Sequence, residues 1–118
     1  MVDQKYIINN SKTLLEALTQ INALQEGPLV LFAVDETDRM VGTLTDGDSR
    51  RALIAGKPLN SLVKDVIHTS FNYIRKGADD IVKELKNQKE LHMKLVPVLD
   101  NNNHIIDICI YISSFIIN

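Results

Sequence analysis

"LVLFAVDETDRMVGTL" (residues 29–44) and "KLVPVLDNNNHIIDIC" (residues 94–109) lie 65 residues apart and share one pattern of apolar and polar positions. Sliding the chain by 65 sets Val34 on Leu99, Asp35 on Asp100, Val41 on Ile106 and Leu44 on Cys109 without a gap. Each copy opens on a continuous branched run, as a strand covered on both faces should. A polar turn follows (Glu36 to Asp38, then "NNN"), and a second apolar run returns: Met40 to Leu44, then "HIIDICIYI". Each pair therefore reads as two antiparallel strands. An internal repeat constrains the fold more than any single motif does.

Working outward, Lys5 to Ile8 reads as a short strand. Thr13 and Glu16 form a T-x-x-E capping box, in which hydroxyl and carboxylate each satisfy an unpaired helix-end amide. Leu14, Ala17, Leu18, Ile21 and Leu24 then fall on one helical stripe, which Gly27-Pro28 ends. After the second strand a helix runs from about Gly47 to Ala55 and closes at Gly56 and Pro58. The unit is strand, helix, strand, strand, helix. It restarts as "FNYI" (strand) and "ADDIVKELKNQ" (helix), with Leu14, Leu15 and Leu18 matching Ile81, Val82 and Leu85 after a shift of two more residues. "SSFIIN" (113–118) reads as the first turns of a truncated closing helix. The expected fold is α/β (α+β): a first repeat over 1–56, a linker over 57–70 and a second repeat over 71–118. The 14-residue linker is too long for a tight turn and is placed to cover a cleft.

Composition excludes several classes of function. A chain of 118 residues with 45% hydrophobic and 24% charged residues is that of an ordinary globular domain. A net charge of −2 argues against a broad grip on nucleic acid or an anionic membrane. The apolar run Ile105 to Ile117 contains Asp107 and two serines and is shorter than the roughly 20 residues a spanning helix needs. The one cysteine, Cys109, sits among isoleucines and reads as a core thiol. His68, His92 and His104 share no metal-ligand spacing, so no metal is expected. Asp79 and Lys83 pair at i, i+4 on a solvated helix face. A cytoplasmic protein is the default.

The stretch that offers chemistry is "GTLTDGDSRRAL" (42–53). A calcium loop fails, because the alternating position after Asp46 and Asp48 is the cation Arg50. A D-x-D phosphotransferase would need a lysine and further acids on later strand ends, whereas Asp79-Asp80 open a helix. Two readings stay open. The acids can simply cap and complement a helix N-terminus. Alternatively, Gly42 admits a ligand to the strand backbone, Thr45 sets a hydroxyl beside helix amides that favour phosphate, and Asp48 accepts from both hydroxyls of a ribose. Arg50 or Arg51 then reaches a phosphate.

The spacing G-x-x-T-x-x-D at Gly42, Thr45 and Asp48, closing a unit that occurs twice, resembles the tandem cystathionine-β-synthase (CBS) domains. "LVPVLD" (95–100) also looks like that family's second-strand motif. The resemblance spans essentially the whole chain. It implies two repeats in pseudo-two-fold symmetry, a regulatory role without catalysis, and an adenosine-type ligand (AMP, ADP or ATP) in the cleft between the repeats. The residues it implies at that ligand are Gly42, Thr45, Asp48, Arg51 and Ile8.

The longer string "GTLTDGDSRRAL" is similar to the regulatory CBS pair of bacterial sugar-phosphate nucleotidyltransferases. A T-D-G-D-x-R-R string also closes the first CBS copy of arabinose-5-phosphate-forming isomerases. Both comparisons imply a covalently linked catalytic domain that this chain lacks, so the expectation is a regulatory fragment or a stand-alone module. The alternative is a dimerisation scaffold with an empty cleft. In the second copy Gly42, Thr45 and Asp48 become Asp107, Ile110 and Ser113, so one nucleotide per chain is expected. Ile110, Ile112, Phe115, Ile116 and Ile117 exceed what a short repeat covers. With the family's habit of helix-mediated pairing, this points to a homodimer using helices near 47–55 and 113–118.

Overall fold

The computed structural model describes residues 2–77, 94–112 and 115–117. The expected helix over 78–88 with its Asp79–Lys83 pair, His92 and Ser113 lie outside the described residues. The chain divides into two compact units, Asp3–Phe71 and Met1–Val2 with Asn72–Asn118.

The first unit begins with a 3-10 turn, Gln4–Tyr6, capped by the Asp3 side chain. Strand β1 (Ile7–Asn9), helix α1 (Leu14–Leu24), strands β2 (Val30–Val34) and β3 (Met40–Thr45) and helix α2 (Asp46–Ile54) follow. Its sheet has the order β1-β2-β3, with β1 parallel and β3 antiparallel to β2. The predicted stripe of α1 packs on this sheet: Leu14, Ala17 and Ile21 are buried and join Ile8, Leu31, Ala33 and Leu44 in the core. Each large side chain buried there contributes about 1.5–3 kcal/mol. Helix α1 ends two residues before Gly27, at Gln25, whose φ of 62° turns the chain so that Glu26 N–H reaches the Leu24 carbonyl.

The segment following α2 is no free connector. Val63 is fully buried in the first core. Ser61 and Leu59 carbonyls accept from Leu14 and Leu15 N–H at 2.8 and 3.0 Å. Thr13 Oγ1 accepts from Glu16 N at 3.2 Å, while Glu16 accepts from Thr13 N–H. The first three amides of α1, otherwise unpaired, are thus all satisfied, two of them by the linker.

The second unit holds β4 (Ile74–Arg75), β5 (Lys94–Leu99), β6 (Ile105–Ile112) and β7 (Phe115–Ile117) in the order β4-β5-β6-β7. The 65-residue offset holds pair by pair. Leu31↔Leu44, Ala33↔Gly42 and Val34↔Met40 in the first sheet become Val96↔Cys109, Val98↔Asp107 and Leu99↔Ile105 in the second. Even the bulge recurs, between Ala33/Val34 and between Val98/Leu99. The turns repeat as well. Asp35 Oδ1 accepts from Thr37 and Arg39 N–H, as Asp100 Oδ1 does from Asn102 and His104 N–H. Asp38 and Asn103, with φ of 63° and 67°, take the left-handed position in each turn.

Burial alone raises the Asp35 carboxyl. The amides of Arg39 and Thr37, the Thr37 hydroxyl and the Arg39 guanidinium outweigh that and hold it at about 2. Asp100 is lowered in the same direction, chiefly by the His104 amide. Because the folded state depresses Asp35, its stabilisation is fully present above the ordinary 3.8 and lost as pH falls through about 2. Asp35→Asn should melt below the parent at pH ~7, and the gap should close at pH ~2. A gap that stays constant across a series of melting curves would contradict this.

One expectation is corrected. Where a closing helix is expected over "SSFIIN", Phe115–Ile117 form the strand β7 and pair antiparallel with β6, Ile110↔Ile117 to Ile112↔Phe115. The physical reason lies in the repeat itself. Thr45 and Asp48, which start α2, correspond to Ile110 and Ser113, so the N-cap side chain is lost. The residues beyond are branched or aromatic and favour an extended chain. Cys109 occupies Leu44's place, is buried, and has its thiol pushed up by burial and then by Asp107. It is the core thiol the sequence suggests. Among the described residues no helix is long and apolar enough to cross a membrane.

Candidate functional site

The junction between β3 and α2 is built by a reciprocal cap. Thr45 is the N-cap residue: its Oγ1 accepts from Asp48 N–H, and Asp48 Oδ2 accepts from Thr45 N–H, both at 3.0 Å. The capping role foreseen for aspartate therefore falls on Thr45, with Asp48 as the returning carboxylate. Arg51, one turn on, donates from Nη2 to Asp48 Oδ1 at 2.8 Å. Partial burial opposes the Asp48 charge, but the Thr45 amide, the Arg51 guanidinium and the Thr45 hydroxyl outweigh it, so the carboxyl lies below its ordinary value. Ser49 is fully buried and donates to the Thr45 carbonyl at 3.1 Å.

The helix end is less open to phosphate than expected. Asp46 N–H already donates to the Leu29 carbonyl at 3.1 Å, and Asp48 N–H is held by Thr45. Asp46 itself pairs with Arg50 at 3.5 Å on the exposed side of α2.

Gly42 serves close approach, but the segment that approaches is the linker. A Cβ there would lie 2.8 Å from the His68 backbone oxygen and 2.8 Å from Ile67 Cδ1. Thr43 and His68 exchange both backbone hydrogen bonds, at 2.9 and 2.8 Å, so the linker is pinned beside β3 by one antiparallel bridge.

This strap and α2 flank an open cavity of about 310 Å³, at the small end of the range of roughly 300–1,000 Å³ that holds small molecules. Asp48, Arg51, Ala52 and Lys57 line one side, and Asp65, Val66, Ile67 and His68 the other. Of the five sequence-chosen residues, Asp48 and Arg51 line it. Thr45 anchors Asp48, and Gly42 seats Ile67 and His68. Ile8 is 4% exposed in the core, outside that lining. Sequence reading missed Lys57 and the linker residues. The available signal was the apolar "LV" and "VI" pairs inside "SLVKDVIH", too regular for a solvated connector.

A larger cavity of about 580 Å³ is lined by Leu18, Ile21, Asn22, Gln25, Leu29 and Asp46. It offers an anion one carboxylate and no cation, so its chemistry suits a phosphorylated ligand less well than the smaller space. Among the described residues no group of three or more His, Cys, Asp or Glu is placed to hold a metal.

No family model and no curated protein matches the sequence. Solved structures do. Staphylococcus aureus OpuCA superposes with a TM-score of 0.69 at 16% identity, over 86% of this chain and 81% of that one. The CBS domains of a transcriptional regulator from Streptococcus pneumoniae give 0.68 at 12% identity, over 97% and 87%. A CBS domain protein from Pyrobaculum aerophilum, complexed with AMP, gives 0.67 at 14% identity, over 86% and 76%. The recurring register, the bulge and these superpositions agree: the fold is that of a tandem CBS-domain pair.

Proposed function

We propose that this chain is a regulatory module that binds an adenosine-type nucleotide in the cavity between α2 and the linker strap. The observation that carries the reading is Asp48, an ionised carboxylate fixed by the Thr45 cap, lining a space that also presents Arg51 and Lys57. A carboxylate suits the two hydroxyls of a ribose, two cations suit phosphate, and Ala52, Val66 and Ile67 give a base an apolar wall. The AMP bound to the Pyrobaculum aerophilum protein of the same fold supports that ligand class. Thr45 and Asp48 are committed to each other as a cap, which favours holding a ligand over transforming it. The string "GTLTDGDSRRAL" favours a sugar-phosphate nucleotidyltransferase as the regulated enzyme, acting in the cytoplasm. Regulation then works by unequal affinity of the nucleotide for two conformations of that enzyme. Calorimetric titration with AMP, ADP and ATP tests the binding claim.

Assembly into a homodimer rests on a separate observation. Ile54, at the end of α2, is 84% exposed, and Leu15, Leu53 and Leu59 are exposed as well. With β7 in place of a second closing helix, the α2 side of the first unit carries the proposed contact. Ile54→Asp should turn a dimer into a monomer in sedimentation equilibrium at tens of micromolar. A parent that sediments as a monomer there contradicts the assembly.

A further inference from the structure

In this structure the carboxylate proposed to take the ribose is already taken. Asp48 Oδ2 holds the Thr45 amide, and Asp48 Oδ1 holds Arg51 Nη2 at 2.8 Å. Both Asp48 and Arg51 line the same cavity, so the guanidinium sits where a ligand hydroxyl would approach Oδ1. The sequence gives it room. Gly47 has no Cβ, and one placed there would lie 3.2 Å from Arg51 Nη1 and 3.4 Å from Nη2, so the guanidinium lies close over the Gly47 backbone. The mask is fixed at one end only: the Arg51 side chain is 71% exposed, whereas that of Asp48 is 22% exposed. An ion pair this open is weak and can be exchanged.

We infer that Arg51 makes the site selective for phosphorylated nucleosides by masking Asp48 until an anionic group draws the guanidinium away. The inference rests on the proposed nucleotide reading of this cavity and deepens it. A neutral nucleoside must break the Arg51–Asp48 pair and gives Arg51 nothing in return. A nucleotide offers it a phosphate, a better partner for a planar fork than the carboxylate it leaves. Lys57 lies in the same lining and adds to that pull. Arg51 is thus a specificity-determining residue whose position on Asp48 opposes binding of the wrong ligand.

The test compares adenosine with AMP on the parent and on Arg51→Gln, by calorimetry. Glutamine removes both the mask and the phosphate partner, and at an exposed position it leaves the fold intact, which a melting curve verifies. Adenosine should tighten by about 2- to 5-fold as Asp48 is unmasked, while AMP should weaken by about tenfold or more. Salt gives an independent readout on the parent alone: raising it loosens the exposed pair, so adenosine should bind more tightly and AMP less tightly. Adenosine binding that weakens or stays unchanged in Arg51→Gln overturns the inference while the parent's binding of AMP still stands. A parent that binds neither ligand overturns the nucleotide reading itself, and the mask with it.

Discussion

Replacing Gly42 with alanine should unfold the first unit at a markedly lower temperature. The new Cβ would sit 2.8 Å from the His68 backbone oxygen, and that oxygen cannot retreat while it accepts from Thr43 N–H at 2.9 Å. Ile67 Cδ1, equally close, can rotate away, so the backbone contact decides the outcome. Losing a strand-interior glycine would by itself gain roughly 0.5–1 kcal/mol. Against that stand an overpacking cost of about 1–3 kcal/mol and two backbone hydrogen bonds worth roughly 1 kcal/mol each. The net loss of about 2–4 kcal/mol corresponds to a fall in Tm on the order of 10–20 °C for a unit of this size. Gly47→Ala is the contrasting control, since its Cβ meets only the mobile tip of Arg51. Calorimetric melting of both variants checks the argument, and an unchanged Tm for Gly42→Ala would show that the linker is not strapped to β3. Freed from β3, Ile67 and His68 would also leave the cavity lining, so nucleotide affinity should fall together with stability.

That strap marks the limit of what sequence reading reached. The repeat was legible because Val34, Asp35, Val41 and Leu44 have counterparts of the same polarity at one fixed offset. The structure then reproduced the register and the bulge pair by pair. The α1 cap was legible for a local reason: Thr13 and Glu16 need no distant partner to form their box. The linker was not legible, because the value of Val63 and Ile67 comes from surfaces of β3 and α1 far away in the chain. The β3–α2 junction was half legible. Capping and ligand binding draw on the same residue types, and the structure assigns Thr45 and Asp48 to a cap that also leaves Asp48 lining a cavity. The closing segment was misread because a repeat predicts elements only where the residues that start them also recur. Ile110 and Ser113 cannot start the helix that Thr45 and Asp48 start.

The second large effect is expected at Asp48. Asparagine nearly keeps the shape, and its carbonyl can still accept from Thr45 N–H, so α2 should still begin at the same residue. What is lost is the charge and with it the strong acceptor for ribose hydroxyls. Removing a charged acceptor costs about 1.5–3 kcal/mol, which is a roughly 10- to 150-fold loss of affinity. Asp46→Asn should leave binding nearly unchanged, because Asp46 pairs with Arg50 and lines the other cavity. Ser113→Ala should change nothing, since the second copy carries neither the threonine nor the aspartate. The same fold with a different fixed charge at one atom therefore separates ligation from capping.

The most direct measurement of the central claim is a calorimetric titration of AMP into the parent and into Asp48→Asn at equal concentration. The account predicts one nucleotide per chain for the parent and an affinity at least tenfold lower for the variant. Equal affinity for the two proteins, two nucleotides per parent chain, or no heat at millimolar AMP would contradict it.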